Sequence, residues 1–130
     1  MISEKLSLSL LSKIPFVVLG DKGYMKHLKE LGFKTFDKFW DESYDLKDDE
    51  DRIIGLSETI LDIQKNFECD VNEHGNFVYS DEMSEILEHN YHHYKNVYVP
   101  TLQNRILKAI STSDNVHFRT EISDKIWYNS

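Results

Sequence analysis

The 130-residue sequence holds one cysteine, Cys69, and that excludes an intramolecular disulfide, a CxxC redox pair and a multi-cysteine zinc site. With two prolines and five glycines, it also lacks the breaker-rich composition of a disordered or low-complexity chain. No apolar run approaches the roughly 20 residues that span a bilayer. Met1 is followed by Glu4 and Lys5 where a signal peptide would carry basic residues and an apolar stretch, so a cytoplasmic protein that engages no membrane is expected. No P-loop, GxGxxG, HExxH or Ser-His-Asp order occurs. Neither a metal nor a cofactor is expected.

A continuous basic face is missing as well, and the charge distribution shows why. Residues 1–40 carry seven lysines against four acids, residues 41–90 three basic residues against sixteen acids, and residues 91–130 five against three. The net charge of −8 therefore comes from the middle of the chain. Neutralising several phosphates of a duplex needs a basic surface, so duplex nucleic acid is excluded as a partner. The lysine-bearing first forty residues could still hold one small anion, because a few lysines and helix-terminal N–H groups suffice for a phosphate or diphosphate.

Length and the 40% hydrophobic content fit a single domain over residues 1–130. Ser3 is a suitable cap for a helix carrying Leu6, Leu8, Leu10 and Leu11, and Pro15 requires that helix to end by Ile14. The run Ile14–Leu19 (IPFVVL), closed by Gly20, predicts a buried strand of a parallel sheet. Tyr24, Met25, Leu28 and Leu31 then fall at helical spacing and Gly32 is a natural stop. Phe33–Phe36 (FKTF) reads as a second parallel strand, completing a strand-loop-helix-strand unit. Asp48–Asp51 precede a helix marked by Ile53, Ile54, Leu56, Ile60, Leu61 and Ile63, with acids favourably placed against its dipole. Residues 69–77 read as a loop around Gly75. A long helical region is predicted over about 81–110, with a break or kink at Pro100. Trp127 and Tyr128 are expected to dock near the end. Two strands leave unpaired edges, which calls for cover by the long helices or by a second copy or partner chain.

The segment SEKLSLSLLSKIPFVVLG, residues 3–20, resembles the donor-binding segment of fucosyltransferase-like glycosyltransferases of the GT-B type, whose pattern is approximately (T/S)EK, an apolar helix, then (V/I)P(F/V)VVLG. The continuation LKELGFKTFDKFWDESYD, residues 28–45, with Arg52 shortly after, resembles the C-terminal part of glycosyltransferase-like proteins of bacteriophages. The resemblance implies a helix-rich α/β fold, half of a Rossmann-like GT-B pair, with a short parallel sheet and long C-terminal helices. It implies nucleotide-sugar binding in which Glu4 reaches the ribose and Lys5 the diphosphate. Ser3, Gly20 and Tyr44 complete the candidate ligand-binding set. Since a GT-B enzyme places its donor between two halves, the resemblance also implies that transfer chemistry needs a partner chain or a homo-oligomer. The other implied role is non-enzymatic: an oligomeric phage protein, working in the host cytoplasm, that sequesters a nucleotide signal. Without the resemblance, Ser3, Glu4 and Lys5 read as a helix cap and two solvated charges.

Three further clusters carry possible chemistry. Asp41, Glu42 and Asp45 in DESYD could hold a divalent cation beside a diphosphate. The preferred reading is structural, with Asp41 or Ser43 capping a turn and Asp45 pairing with Arg52. His89, His92 and His93 share a helix face at i, i+3 and i+4, a spacing open to metal, although such a face is more often a wet mixed surface. Phe36, Phe39 and Trp40 could stack a base but are expected in the core.

Overall fold

The computed structural model describes residues 2–112. The Trp127 and Tyr128 docking expectation lies outside these residues. Ser3 opens α1 (Glu4–Leu11), its Oγ accepting the Leu6 N–H at 3.2 Å. Helix α2 (Tyr24–Glu30) follows, then a 3₁₀ turn over Ser43–Leu46 and the 18-residue α3 (Asp49–Asn66). Strands β1 (Asp70–Val71) and β2 (Phe77–Val78) form a hairpin. Helix α4 (Asp81–His93), capped by Ser80, runs through a π-helical segment (Tyr94–Tyr98) into α5 (Val99–Thr112).

The long C-terminal helical region is therefore present, and its interruption has a local cause. Pro100 lacks an N–H and would press its ring on the carbonyl four residues back, so the backbone widens before it. The Val99 N–H accordingly reaches the Tyr94 carbonyl, five residues back.

The expected parallel sheet is not what the chain builds. The one sheet among the described residues is the antiparallel hairpin, with Asp70 opposite Val78 and Val71 opposite Phe77. It lies in the stretch that reads as a loop from sequence. Asn72 makes it: its Oδ1 accepts the N–H groups of His74 and Asn76, its N–H reaches the Asn76 carbonyl at 2.9 Å, and its carbonyl accepts from Gly75. A short polar side chain that bonds its own turn in this way favours a tight reversal.

The run Ile14–Leu19 forms neither helix nor strand and joins no ladder. Phe16 and Val18 pack against a first core of Ile2, Leu6, Leu10, Met25, Leu28, Phe33 and Tyr98. Phe16 and Val17 meet a second core of Phe36, Trp40, Met83, Ile86 and Leu87. The continuous apolar run that predicted a buried strand thus lies against both cores, with Phe16 touching each of them.

Phe33–Phe36 forms no strand either: Phe33 lies in the first core, and Phe36 in the second, where its carbonyl opens a turn by accepting from the Phe39 and Trp40 N–H groups. In place of a neighbouring strand it has a side chain. Asn90 of α4, 1% exposed, accepts from the Lys34 N–H at 2.8 Å and donates to the Lys34 carbonyl at 2.9 Å. One buried amide group thereby satisfies both peptide groups that a strand partner would have met.

Candidate functional site

Helix α1 presents Ser3, Glu4 and Lys5 at its start, all three exposed, while Ile2 and Leu6 anchor the turn in the core. Ser3 Oγ is committed to the Leu6 N–H, and the Ser3 carbonyl accepts from Ser7 at 2.9 Å. Among the described residues, the N–H groups of Glu4 and Lys5 have no acceptor. Two free donors, a positive helix end and the Lys5 ammonium together favour an anion at this position.

Two tyrosines frame the same turn. The Ile2 N–H points at the Tyr98 hydroxyl at 3.5 Å. The Ser3 amide faces the Tyr24 hydroxyl, which favours its ionised form, but burial is the larger effect and pushes the Tyr24 pKa up. The Tyr24 phenol therefore stays protonated at neutral pH, able to donate to a ligand oxygen. Tyr24 also accounts for Gly20: a Cβ at residue 20 would stand 2.9 Å from the Tyr24 ring. Tyr24 therefore links Ser3 and Gly20, a role hidden in the sequence because its helical spacing marks it only as a core residue.

Gly20 itself is closed to a ligand's approach on two sides. Its face carries the Tyr24 ring, and its carbonyl accepts from Arg52 Nε at 3.1 Å. Arg52 is buried, with its other nitrogens on the Lys47 carbonyl at 3.1 Å and on Asp49 at 3.2 Å. The expected pairing of Arg52 with Asp45 is replaced by a different arrangement. Asp45, 5% exposed, accepts from the Met25 and Lys26 N–H groups, and its carbonyl takes the Gly23 N–H. A buried carboxylate thus fills the anion position at the start of α2.

Tyr44 is placed elsewhere. It is 2% exposed and packs its Cβ where a side chain at Gly55 would stand, and its 3₁₀ turn contacts α2 and α3 but not α1. Its hydroxyl is directed at the Val18 amide without an ordinary hydrogen bond, and burial pushes its pKa up to about 12. Asp41 caps the turn as expected, its Oδ1 accepting from Ser43 at 2.8 Å. Glu42 is turned inward: Oε2 accepts from the Phe36 N–H at 3.2 Å, while Oε1 and the Thr35 hydroxyl face each other outside hydrogen-bond geometry. Desolvation raises the Glu42 pKa against these contacts.

The histidine face serves the fold. His93 Nε2 lies 2.6 Å from the Leu31 carbonyl and His89 Nε2 2.9 Å from the Gly32 carbonyl, so the two stacked rings close the C-terminal end of α2. His92 turns the other way, 3.3 Å from Glu88. No group of three metal-ligating side chains is gathered among the described residues. Phe36, Trp40 and Phe67 form an aromatic cluster in the core, with the Phe36–Trp40 rings tilted and the Trp40–Phe67 rings edge to face, both pairs of centroids 5.5 Å apart.

An open groove of about 500 Å³ lies between the end of α1, the hairpin and α4. Its main polar feature, Lys13, is already paired with Glu88 at 2.7 Å and sits 4.7 Å from the Tyr91 ring centroid. None of the described helices is long and apolar enough to cross a membrane. Compared with known protein families, curated proteins and solved structures, the chain matches none.

Proposed function

We propose that this chain is a glycosyltransferase-related binding module that captures a nucleotide or nucleotide sugar by its diphosphate at the start of α1. The observation that carries the reading is the pair of acceptor-free N–H groups of Glu4 and Lys5, on a Ser3-capped turn, with the Lys5 charge beside them. The Tyr24 hydroxyl adds a donor at the same turn, and Glu4 is available to accept from a ribose hydroxyl pair. The resemblance of residues 3–20 to a glycosyltransferase donor segment supports the ligand class.

The reading rests on α1 and not on a sheet edge. The chain builds no parallel sheet among the described residues, and the Gly20 backbone is occupied by Tyr24 and Arg52. Capture, with any transfer chemistry supplied by a second chain, is the activity assigned.

Calorimetric titration with uridine and guanosine diphosphates, their sugar conjugates and cyclic signalling nucleotides tests this. Binding of a diphosphate nucleotide is expected, weakened about 10- to 100-fold by Lys5→Ala, the size of one charged hydrogen bond. Unchanged affinity in a folded Lys5→Ala protein, or no binding of any diphosphate, would overturn the proposal. Exclusive binding of a cyclic nucleotide would move the assignment to signal capture.

A further inference from the structure

Helix α3 has two apolar faces, and the fold uses only one. Arg52, Gly55, Leu56 and Thr59 are buried against the body of the protein. On the opposite side stand Ile53, Ile54, Ile60 and Leu61, which remain 51%, 55%, 38% and 64% exposed, with Ser57 between them. These five positions, spaced i, i+1, i+4, i+7 and i+8, form one continuous stripe on the helix. The small Ser57 adds no unmet polar group, because its hydroxyl donates to the Ile53 carbonyl at 2.9 Å.

The stripe is symmetric about Ser57. Isoleucines stand three and four residues before it, and an isoleucine and a leucine stand three and four residues after it. Glu50 and Gln64 lie seven residues to either side. We propose that the stripe is a homodimer interface in which α3 pairs antiparallel with α3 of a second copy about a twofold axis through Ser57. Ile53 then meets Leu61 of the second copy, Ile54 meets its Ile60, and Glu50 can accept from its Gln64 amide. On one rim Asp51 comes beside Lys65 of the second copy, and neither residue has an ion pair among the described residues. A parallel pairing would instead set the first-turn acids Asp49, Glu50 and Asp51 of both copies against each other. The inference is independent of nucleotide binding. One helix pair falls short of the ~800 Å² per partner of standard interfaces, so dissociation on the order of tens of micromolar is expected.

Sedimentation equilibrium of the full chain between roughly 10 and 500 µM should show a reversible dimer, and Leu61→Glu should weaken it at least about tenfold. Leu61 is exposed, so this variant should keep the wild-type circular dichroism spectrum. In a Cys69→Ser background, Ser57→Cys should oxidise to a linked dimer. Ile53→Cys alone should not, because its mate lies about 12 Å along the helix, beyond disulfide reach. A mixture of Ile53→Cys and Leu61→Cys should cross-link. A monomeric wild type at the highest concentration, an unaffected Leu61→Glu dimer, or ready self-linking of Ile53→Cys would each overturn the proposal. Cover of the stripe by another part of the chain or by a different protein would register as the first of these.

Discussion

Glu42 shows how a single buried group sets a pH dependence. Its pKa is raised above the ordinary 4.5, chiefly by desolvation, so the folded state binds this proton more tightly than the unfolded state. The contribution is fully present below about pH 4.5 and is lost as pH rises through the elevated folded value. At neutral pH the ionised carboxylate is a net cost. Glu42→Gln keeps an acceptor for the Phe36 N–H and brings an amide donor toward the unpartnered Thr35 hydroxyl. The variant should therefore gain on the wild type as pH rises from about 4.5 to 8. Urea unfolding of both proteins across that range checks this, and parallel stability curves would contradict it. At the same scale, sequence reading found the Ser3 cap and the Asp41 turn, because each bond closes within three residues. It misassigned Asp45 because the partners of that carboxylate, Met25 and Lys26, lie 20 and 19 residues away.

Helix ends and breaks were legible at the scale of elements. Gly32 follows α2 in the left-handed region at φ +99°, a conformation glycine reaches without a Cβ penalty, and a Cβ there would also meet the His93 ring. Acids open α3, and Pro100 coincides with the π-helical interruption. Ile14–Leu19 and Phe33–Phe36 read as strands, and the chain builds no strand at either place. Phe33–Phe36 depends on Asn90, and Asn90→Leu, close in volume, would strand both peptide groups of Lys34. A loss of about 2–4 kcal/mol is expected, with Asn90→Asp intermediate because it keeps the acceptor. Chemical denaturation measures the loss, and a change below about 1 kcal/mol would mean that water replaces the amide.

For the whole molecule, the charge of −8 and its concentration in residues 41–90 set a repulsive background to the fold. Five of those acids lie on α3, beside the proposed dimer stripe. Raising sodium chloride from about 10 to 150 mM shortens the screening length from ~30 to ~8 Å and should raise the thermal midpoint by a few degrees. The same salt should strengthen rather than weaken the dimer, because screened repulsion between acidic copies outweighs the Asp51–Lys65 attraction at the rim. A midpoint that falls with salt would show that attractive ion pairs such as Lys13–Glu88 and Lys22–Asp48 dominate instead.

The sequence alone determined where helices start, stop and break, because caps, acids in a first turn, a C-terminal glycine and a proline act through neighbours within one turn of chain. It also determined that Phe36 and Trp40 belong inside. Only the tertiary structure decided that Ile14–Leu19 and Phe33–Phe36 form no strand and what they bond to instead. A strand exists only through a partner, and here the partner of Lys34 is the side chain of Asn90 on α4. It likewise decided which of the two apolar faces of α3 is buried, since periodicity describes a stripe but not the surface it meets. For the candidate site, residues 3–5 were legible as a helix start, whereas the gathering of Tyr24 and Tyr98 around them required the π-helical segment to pack on α1 and α2 to share its core.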